Sequence, residues 1–580
     1  MAQDDTLEGI DEFLKGSAKE FDAPGLAVVA IKDKEIIYSK GVGYRDVDKK
    51  LEMTTSTIHP IASCTKSFTS TAVAMLVDEG KLEWDTPIRE FIPQFKMKDP
   101  VATNQITIVD MLSHRTGLPR HDFVWINDKF TYDQVLERLP HLDSSKDIRT
   151  SFQYCNLMYL AASVIIEELS GMSYNDFISK RIFKPLGMKD SNFSLTVMQK
   201  TPDFATPYKI DYKDEKLSYI QCDYVVNDVA TGAGCINASI DDMGKWLKFH
   251  LNRGKVGKKQ LVSADNLRRT HDSVIICSMT SGLDFWMPNQ KWFRMDTYGL
   301  GWFGLMYRGY RVVKHGGGID GSSSLMGFLP DEDIGVMAVV NKSDCNLSAA
   351  VFYNLFDRFL KLDPVEWNEI YTKIDAGIIK SVQGSTEASL GLQITDTEPT
   401  RSIDEYVGRY HHPGYGNFEF YIQDNELRSK SGSVEYPLTH FHYDTFQYDI
   451  KRFDVKGLLT FHADDRGEVV GFAAKIEELT PPITFSRLPD QYMRDAEFLK
   501  SLIGKYEAVG IVLEIALRGD DTITCSFPGQ QPIELKPVRG MRFKTKEESY
   551  SIEFKKDESG KISEFLYITS MQVIPARRIE

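Results

Sequence analysis

The sequence contains no long apolar run. LAASVII (160–166) is among the longest, whereas a membrane-spanning helix needs about 18 or more such residues. The N-terminal stretch MAQDDTLEGIDEF is acidic and lacks the basic and apolar regions of a signal peptide. We therefore expect a protein that has no membrane partner and is cytoplasmic, or secreted if a signal peptide has been removed.

Cysteine is scarce as well. The seven cysteines include no Cys-x-x-Cys pair, which favours reduced core thiols over a disulfide framework or a zinc site. Because HFH (440–442) alternates along a strand and no cysteine or acidic partner completes a ligand set, we interpret the C-terminal histidines as surface or packed side chains. These are His411, His412, His440 and His442. The sequence predicts neither a metal nor a cofactor.

Basic residues are outnumbered by acidic ones. There are 83 Asp and Glu against 69 Lys and Arg, a formal net charge of −14, and such a surface repels phosphate. Nucleic acid is therefore not an expected partner. The chain also lacks a Gly-x-Ser-x-Gly elbow, a His-Glu-x-x-His motif and a P-loop. We expect a small-molecule or short-peptide substrate, and the oligomeric state stays open.

The apolar pattern predicts a first domain over residues 1–365. The stretch 25–46 has the pattern of a hairpin, and four strand-like runs follow one another between 298 and 341. Helices are predicted over 6–22, 63–80, 156–171, 241–254 and 347–362. Strands at both ends with helices between them predict an α/β domain, in which an antiparallel sheet is flanked by helices and an all-helical lobe borders a cleft.

The composition changes after residue 365. Residues 382–402 are rich in Ser, Thr, Gly and Glu, and we place a linker over 366–402. Beyond it short strands dominate and the chain repeats itself, because YVGRY (406–410) recurs as LIGKY (502–506). Two all-β, barrel-like modules are therefore predicted, over 403–490 and 491–580. The alternative is a chance similarity of hairpin turns.

Three short motifs carry residues suited to nucleophilic chemistry. The first is Ser63-Cys64-Thr65-Lys66, at the start of a predicted helix. The i, i+3 spacing places the hydroxyl and the amine on one face, where a desolvated lysine can lose its proton and act as a base toward the serine. The simpler interpretation is that Ser63 caps the helix and that Lys66 is a solvated charge.

The second motif is Tyr154-Cys155-Asn156, directly before another predicted helix. In an extended segment, residues i and i+2 face the same side. Tyr154 can then relay a proton, while Asn156 binds a substrate amide or carbonyl. The alternative is a boundary tyrosine with Asn156 as a helix cap.

The third motif is the run Lys314-His315-Gly316-Gly317-Gly318, at the end of a predicted strand. Three consecutive glycines are poor strand material and suit a place where a ligand approaches the backbone closely. His315 beside them can orient a substrate or one of the residues of the first two motifs. A glycine-rich turn with a surface histidine is the alternative.

In this order, Ser-x-x-Lys, Tyr-x-Asn and His-Gly-Gly resemble the motifs of the β-lactamase/penicillin-binding-protein superfamily. The pattern is most similar to class C β-lactamases, D-aminopeptidases and related esterases, the serine peptidase S12 group. Supporting segments are MLSHRTGLP (111–119), GAGCINASIDDMGKW (232–246) and HGGGIDGSSS (315–324). The resemblance covers roughly residues 6–362.

The resemblance implies a role for each matching position. Ser63 is the expected acylated nucleophile, and Lys66 and Tyr154 are its proton-transfer partners. Asn156 is the expected hydrogen-bond donor toward the substrate. The expected activity is that of a serine hydrolase that forms an acyl-enzyme.

The glycine-rich strand is the expected substrate strand. His315, Gly316 and Gly317 stand where class C β-lactamases have Lys-Thr-Gly, and the N–H groups of the nucleophile and of Gly318 are the expected oxyanion hole. Each such donor typically contributes about 3 kcal/mol. His315 thus replaces the lysine that helps to hold the substrate carboxylate in class C β-lactamases. Because a histidine is mostly neutral at pH 7, this replacement puts efficient β-lactamase turnover in doubt. Asn341-Lys342-Ser343 resembles a segment near the carboxylate-recognition region of class C enzymes.

The expected reaction is cleavage of an amide bond in a β-lactam or in a D-amino-acid-containing peptide or amide. The alternatives are a carboxylesterase of the same fold and a penicillin-binding protein that is acylated without turnover. D-aminopeptidases of this group carry a pair of β-barrels after the catalytic domain, and a loop from one barrel reaches the active site. HHPGYGN (411–417) is a candidate for such a loop.

Overall fold

A computed structural model describes residues 5–125, 131, 134–210, 218–224, 228–277, 291–390, 393–450, 455–545 and 550–580. Within these ranges no helix is both long enough and apolar enough to cross a membrane. The chain divides into two compact units. The first contains Met1–Ile394 with Pro413–Tyr415 and Ile476–Pro482, and the second contains Thr395–His412, Gly416–Lys475 and Ile483–Glu580.

The first unit contains a nine-stranded antiparallel sheet. The strands of this unit are β1 (Gly25–Lys32), β2 (Glu35–Asp46), β3 (Leu51–Glu52), β4 (His59–Pro60), β5 (Tyr208–Ile210), β6 (Tyr219–Gln221), β7 (Asn237–Ala238), β8 (Lys255–Val256), β9 (Lys259–Gln260), β10 (Ile275–Ile276), β11 (Phe293–Tyr298), β12 (Phe303–Tyr307), β13 (Tyr310–Ile319), β14 (Ser322–Leu329) and β15 (Ile334–Val340). The sheet order is β10-β11-β12-β13-β14-β15-β1-β2-β3, and β4–β7, β5–β6 and β8–β9 form separate pairs. Because β1 pairs with β15, strands from the beginning and the end of the first domain join in one sheet, as predicted.

Helices cover the sheet and build the lobe. They are α1 (Ile10–Glu20), α2 (Lys66–Asp78), α3 (Ile88–Phe91), α4 (Pro100–Gln105), α5 (Ile108–Leu112), α6 (Val135–Arg138), α7 (Asn156–Ser170), α8 (Tyr174–Ile178), α9 (Lys184–Leu186), α10 (Leu195–Met198), α11 (Thr231–Gly234), α12 (Ile240–Leu251), α13 (Ala264–His271), α14 (Leu347–Leu360) and α15 (Trp367–Leu390). Successive side chains of β1 face opposite sides of the sheet, and each side is covered by its own helices. Leu26 and Val28 join the core formed with α1 and α14, whereas Val29 lies against Gly244 of α12. In the lobe, α2 packs against α7 and α13.

The predicted linker over 366–402 is for most of its length a helix. α15 spans Trp367–Leu390, and residues 391–392 lie outside the described ranges. Trp367 and Tyr371 are buried in the same core as α14, and Trp367 Nε1 donates to Asp357 Oδ2 at 2.8 Å. Two buried aromatic side chains thus hold a helix where the polar composition indicated none.

The second unit contains two closed antiparallel barrels of eight strands each. The strands of the first are β16 (Gly408–His412), β17 (Gly416–Gln423), β18 (Glu426–Ser431), β19 (Val434–His442), β20 (Thr445–Ile450), β21 (Val455–Ala463), β22 (Val469–Ala474) and β23 (Ile483–Arg487). A short helix, α16 (Ala496–Leu502), precedes the second barrel. The strands of the second barrel are β24 (Gly504–Ala508), β25 (Ile511–Arg518), β26 (Thr522–Ser526), β27 (Ile533–Arg539), β28 (Arg542–Thr545), β29 (Ser551–Lys556), β30 (Ile562–Ile568) and β31 (Val573–Arg578).

The sequence repeat is also present in the side-chain contacts of the barrels. Tyr410 and Tyr506 are both buried, and each hydroxyl donates to the carbonyl four residues earlier, at 2.9 and 2.8 Å. Arg487 and Arg578 lie over these two rings, with the guanidinium carbon 5.6 and 5.8 Å from the ring centre. Equivalent residues make equivalent contacts, which argues against chance similarity of hairpin turns.

Candidate active site

Ser63 lies in a tight turn that leads into α2. Ala62–Thr65 form a short 3-10 turn, and the helix proper begins at Lys66. Ala62 has a φ of 46°, a left-handed conformation that costs a non-glycine residue on the order of 1 kcal/mol and that recurs at functional sites. No side chain caps either the turn or α2. The helix-cap interpretation of Ser63 is therefore wrong.

Lys66 is fully buried and points toward Ser63. Its Nζ lies 3.0 Å from Ser63 Oγ, 2.8 Å from Asn156 Oδ1 and 2.8 Å from the carbonyl oxygen of Ala233 in α11. Burial first, and then the positive charge of Arg120, lower the pKa of Lys66 well below its ordinary value. Lys66 is thus not a solvated surface charge.

The contacts of Lys66 define how a neutral amine is oriented. A neutral amine offers two N–H donors and one lone pair, and both the Asn156 amide oxygen and the Ala233 carbonyl can only accept hydrogen bonds. These two acceptors take the two N–H groups. The lone pair is then left for the Ser63 hydroxyl, which is the direction required for Lys66 to accept the serine proton.

Tyr154 is the third member of this group. Lys66 Nζ lies 4.8 Å from the centre of its ring. Burial is the largest influence on its acidity and raises the pKa of Tyr154 above the ordinary value, although the nearby Ser63 side chain acts to lower it. The phenol therefore keeps its proton near neutral pH, which suits a proton donor better than a base.

His114 holds the segment that carries Tyr154. His114 Nδ1 accepts a hydrogen bond from the N–H of Cys155 at 3.1 Å, and its carbonyl accepts one from the N–H of Gln153 at 2.8 Å. The His114 and Tyr154 rings are 4.3 Å apart. Burial lowers the pKa of His114 well below its ordinary value, which agrees with a neutral ring whose Nδ1 is an acceptor.

Asp122 fixes the orientation of Asn156. Asn156 Nδ2 donates to Asp122 Oδ1 at 3.2 Å, and because a carboxylate only accepts, the amide oxygen must face Lys66. Asp122 is itself held by Trp125 Nε1 at 2.9 Å and by Arg120 Nε at 2.6 Å. The Asn156 side chain thus links Asp122 to Lys66 instead of capping α7.

The glycine-rich motif lies on β13, beside the nucleophile turn. β12 pairs with β13 only as far as Lys314, so the described strands leave one backbone edge beyond it open. A Cβ on Gly317 would lie 2.2 Å from the carbonyl oxygen of Ile61, and the turn before Ser63 therefore needs a glycine there. A Cβ on Gly318 would meet nothing within 4 Å of the described structure. Gly318 is exposed and leaves room for a ligand against the strand.

His315 is buried, with a relative exposure of 2%. Its Nδ1 donates to the carbonyl of Gly316 at 2.6 Å, so that its Nε2 accepts from the Tyr298 hydroxyl at 3.0 Å. Burial and the nearby Lys66 lower the pKa of His315 to about 3. The ring is therefore neutral at pH 7, and it supports the aromatic wall of Tyr298 and Phe303 behind Tyr154.

Asn341 and Lys342 are committed to the framework of the domain. Asn341 is fully buried and donates to the carbonyl of Thr206 at 3.2 Å. Lys342 has a relative exposure of 1%, and its Nζ donates to the carbonyls of Phe21 and Asp22 at 3.0 Å each. These hydrogen bonds give the Asn341-Lys342-Ser343 segment a structural role, and they do not support the carboxylate-binding role suggested by the resemblance.

Part of the HHPGYGN stretch belongs to the first unit and contacts the site segment. The Tyr415 hydroxyl lies 2.6 Å from His121 Nδ1, and the N–H of His121 donates to Glu477 Oε2 at 2.7 Å. His121 has a φ of 47° and stands between Arg120 and Asp122. Tyr415 and Glu477 therefore hold the backbone from which both of these side chains extend.

The structure brings Ser63, Lys66 and Asn156 together, with the Tyr154 ring beside Lys66, next to the strand of His315, Gly316, Gly317 and Gly318. Arg120, Asp122 and the backbone acceptor Ala233 were not predicted from the sequence. The signal for the first two was the polar RHD (120–122), which directly follows MLSHRTGLP (111–119).

Two protein families match parts of this sequence. Residues 10–351 match the Beta-lactamase family, and residues 392–487 match a domain of unknown function, DUF3471. The unguisins hydrolase ungD' of Aspergillus campestris is 28% identical over 428 residues, which cover 70% of this chain and 76% of that protein. Protein flp of Staphylococcus aureus is 26% identical over 341 residues, 58% of this chain and 63% of flp.

Two solved structures share the fold. An octameric penicillin-binding protein homologue from Pyrococcus abyssi has a TM-score of 0.54 and 22% identity, covering 83% of this chain and 100% of its own. D-amino acid amidase from Ochrobactrum anthropi SV3 has a TM-score of 0.50 and 23% identity, and the match covers 62% of this chain and 98% of the amidase. The family match alone spans more than half of the sequence. The chain therefore belongs to the β-lactamase family and has the fold of its serine hydrolases.

Proposed function

We propose that this protein hydrolyses an amide bond, in a β-lactam or in a D-amino-acid-containing peptide or amide, through an acyl-enzyme on Ser63. The observation that carries the proposal is the buried Lys66, whose two acceptors leave its lone pair for the Ser63 hydroxyl at 3.0 Å. A lysine placed in this way is a general base at neutral pH.

The first chemical step follows from these contacts. Lys66 takes the Ser63 proton while Oγ attacks the substrate carbonyl, and the N–H groups of Ser63 and Gly318 are the proposed donors to the developing oxyanion. Tyr154 gives its proton to the leaving nitrogen and regains one from the Lys66 ammonium. Water then attacks the acyl-enzyme and releases Ser63. The similarity of this chain to an unguisins hydrolase and to a D-amino acid amidase supports hydrolysis as the outcome.

The test is intact-protein mass spectrometry after mixing with benzylpenicillin, beside a nitrocefin turnover assay. We expect an adduct or turnover with the wild type, and neither with Ser63→Ala. Ser70→Ala is the matched control, because it removes one hydroxyl from the same helix and should keep the wild-type result. Labelling of Ser63→Ala at the wild-type rate would contradict the assignment of the nucleophile.

The same experiment separates the substrate classes. Turnover with a short-lived adduct supports a β-lactamase, and a persistent adduct supports a penicillin-binding protein that is acylated without turnover. If wild-type protein gives neither, the β-lactam proposal fails. D-alanyl amides and p-nitrophenyl esters are then tested with the same two variants, and reaction with esters alone would indicate a carboxylesterase.

A further inference from the structure

Arg120 places a positive charge beside the catalytic group. Its guanidinium carbon lies 5.2 Å from the centre of the Tyr154 ring. Lys66 Nζ, which is 3.0 Å from Ser63 Oγ, lies 4.8 Å from the same ring centre. The Arg120 side chain is 54% exposed, so a molecule that enters from solvent can reach it. The stacked ring and the ion pair with Asp122 limit the positions that this side chain can adopt.

One edge of the guanidinium is tethered and the other is open. Nε donates to Asp122 Oδ2 at 2.6 Å. Within the described ranges, no acceptor is hydrogen-bonded to Nη1 or Nη2 of Arg120. Two parallel N–H groups of this kind match the two oxygens of a carboxylate. Asp122 is already occupied, because it also accepts from Asn156 and Trp125.

The neighbouring basic side chains are not available for the same task. Lys66 is fully buried, and its Nζ is already hydrogen-bonded to Ser63, Asn156 and Ala233. Lys314 Nζ donates to the Tyr353 hydroxyl at 3.0 Å, and both ring nitrogens of His315 are hydrogen-bonded inside the protein. The strand position that carries a lysine in class C β-lactamases therefore offers no charge here.

We propose that Arg120 is the binding subsite for a carboxylate of the substrate, and that the enzyme prefers acyl donors that carry a negative charge. This inference rests on the proposed acylation of Ser63. On a chain with a net charge of −14, Arg120 would give an anionic substrate a local attraction beside the nucleophile.

The test compares two esters with the same leaving group, p-nitrophenyl acetate and mono-p-nitrophenyl succinate, which differ in one free carboxylate. Acylation kcat/KM is measured for full-length wild type, Arg120→Gln and Arg120→Lys at low and high salt. We expect the wild type to prefer the succinate by about tenfold to hundredfold, the range for one charged hydrogen-bonding contact. Arg120→Gln should lose this preference mainly through KM, and Arg120→Lys should restore part of it.

Arg120 also influences the pKa of Lys66, so its replacement changes acylation by both esters. The ratio between the two esters removes this common effect. If both esters acylate Ser63 and the ratio is the same in wild type and Arg120→Gln, the carboxylate subsite is refuted while the proposed function stands. If neither the esters, a β-lactam nor a D-alanyl amide acylates the wild type, the proposed function itself fails.

Discussion

Replacement of Lys66 by methionine removes the amine while keeping a side chain of similar length in a fully buried position. In the neutral form of Lys66, the Asn156 and Ala233 acceptors take both N–H groups and leave the lone pair for the Ser63 hydroxyl at 3.0 Å. The variant therefore loses its proposed general base. A positioned base contributes about 10²–10⁴ in rate, which corresponds to roughly 3–5 kcal/mol of activation free energy at about 1.4 kcal/mol per tenfold. We expect acylation at pH 7 to fall by that factor.

The pH dependence of acylation tests the same reasoning without a mutation. An ordinary lysine, with a pKa near ~10.4, is neutral in only about one molecule in 2,500 at pH 7. Because burial lowers the pKa of Lys66 well below that value, the folded protein keeps Lys66 neutral at a lower pH. The rate should therefore rise with pH through a step that lies far below pH 10, and Lys66→Met should lack this step.

The assay is the pseudo-first-order rate of acylation by benzylpenicillin or p-nitrophenyl acetate between pH 5 and pH 10, at constant ionic strength. Circular dichroism of each variant checks the fold. A step near pH 10 in the wild type would mean that Lys66 titrates as a solvated lysine. A Lys66→Met rate within tenfold of the wild type would refute its role as the base and would assign that role to another group.

Two further predictions concern the neighbours of Lys66 and the glycine-rich strand. Asp122→Ala should lower acylation about tenfold or more, because it removes the acceptor that orients Asn156. It should also move the acid limb of the pH–rate profile to lower pH, because the negative charge of Asp122 raises the pKa of Lys66; an unmoved limb would contradict this. Gly317→Ala should lower thermal stability by about 1–3 kcal/mol, as overpacking does, since its Cβ would lie 2.2 Å from the Ile61 carbonyl oxygen. Gly318→Ala is the matched control with an open site, and equal melting temperatures for the two variants would show that the Gly317 contact does not constrain the fold.

The sequence predicted the fold best where the pattern was local. The predicted helix over 347–362 is α14, Leu347–Leu360, and the one over 156–171 is α7, which ends at Gly171 with a φ of 70°. The prediction over 366–402 failed because composition cannot register tertiary burial. Trp367 and Tyr371 lose their exposed surface to a core whose other members come from both ends of the domain, and that burial stabilises a helix in a polar segment.

In the candidate site, too, residues close together in the sequence could be related to one another, whereas distant residues could not. Ser63 and Lys66 are three residues apart, so helix geometry alone places them together. Asp122 and Asn156 are 34 residues apart, and no periodicity relates them. The role of His315 was open for a different reason, because a histidine on a strand can face a ligand or the interior, and only the positions of Tyr298 and Gly316 decide between them.

The Arg120–Asp122 pair connects base strength with substrate selection. Arg120 lowers the pKa of Lys66 and Asp122 raises it, so the pair adds little net charge near the base while leaving one guanidinium edge open. A single unpaired arginine at this place would attract an anionic substrate but would also shift the titration of Lys66. An isolated aspartate would orient Asn156 but would repel the same substrate. The ion pair allows a neutral base and a local positive edge to coexist, and it is held in place through His121 by Tyr415 and Glu477.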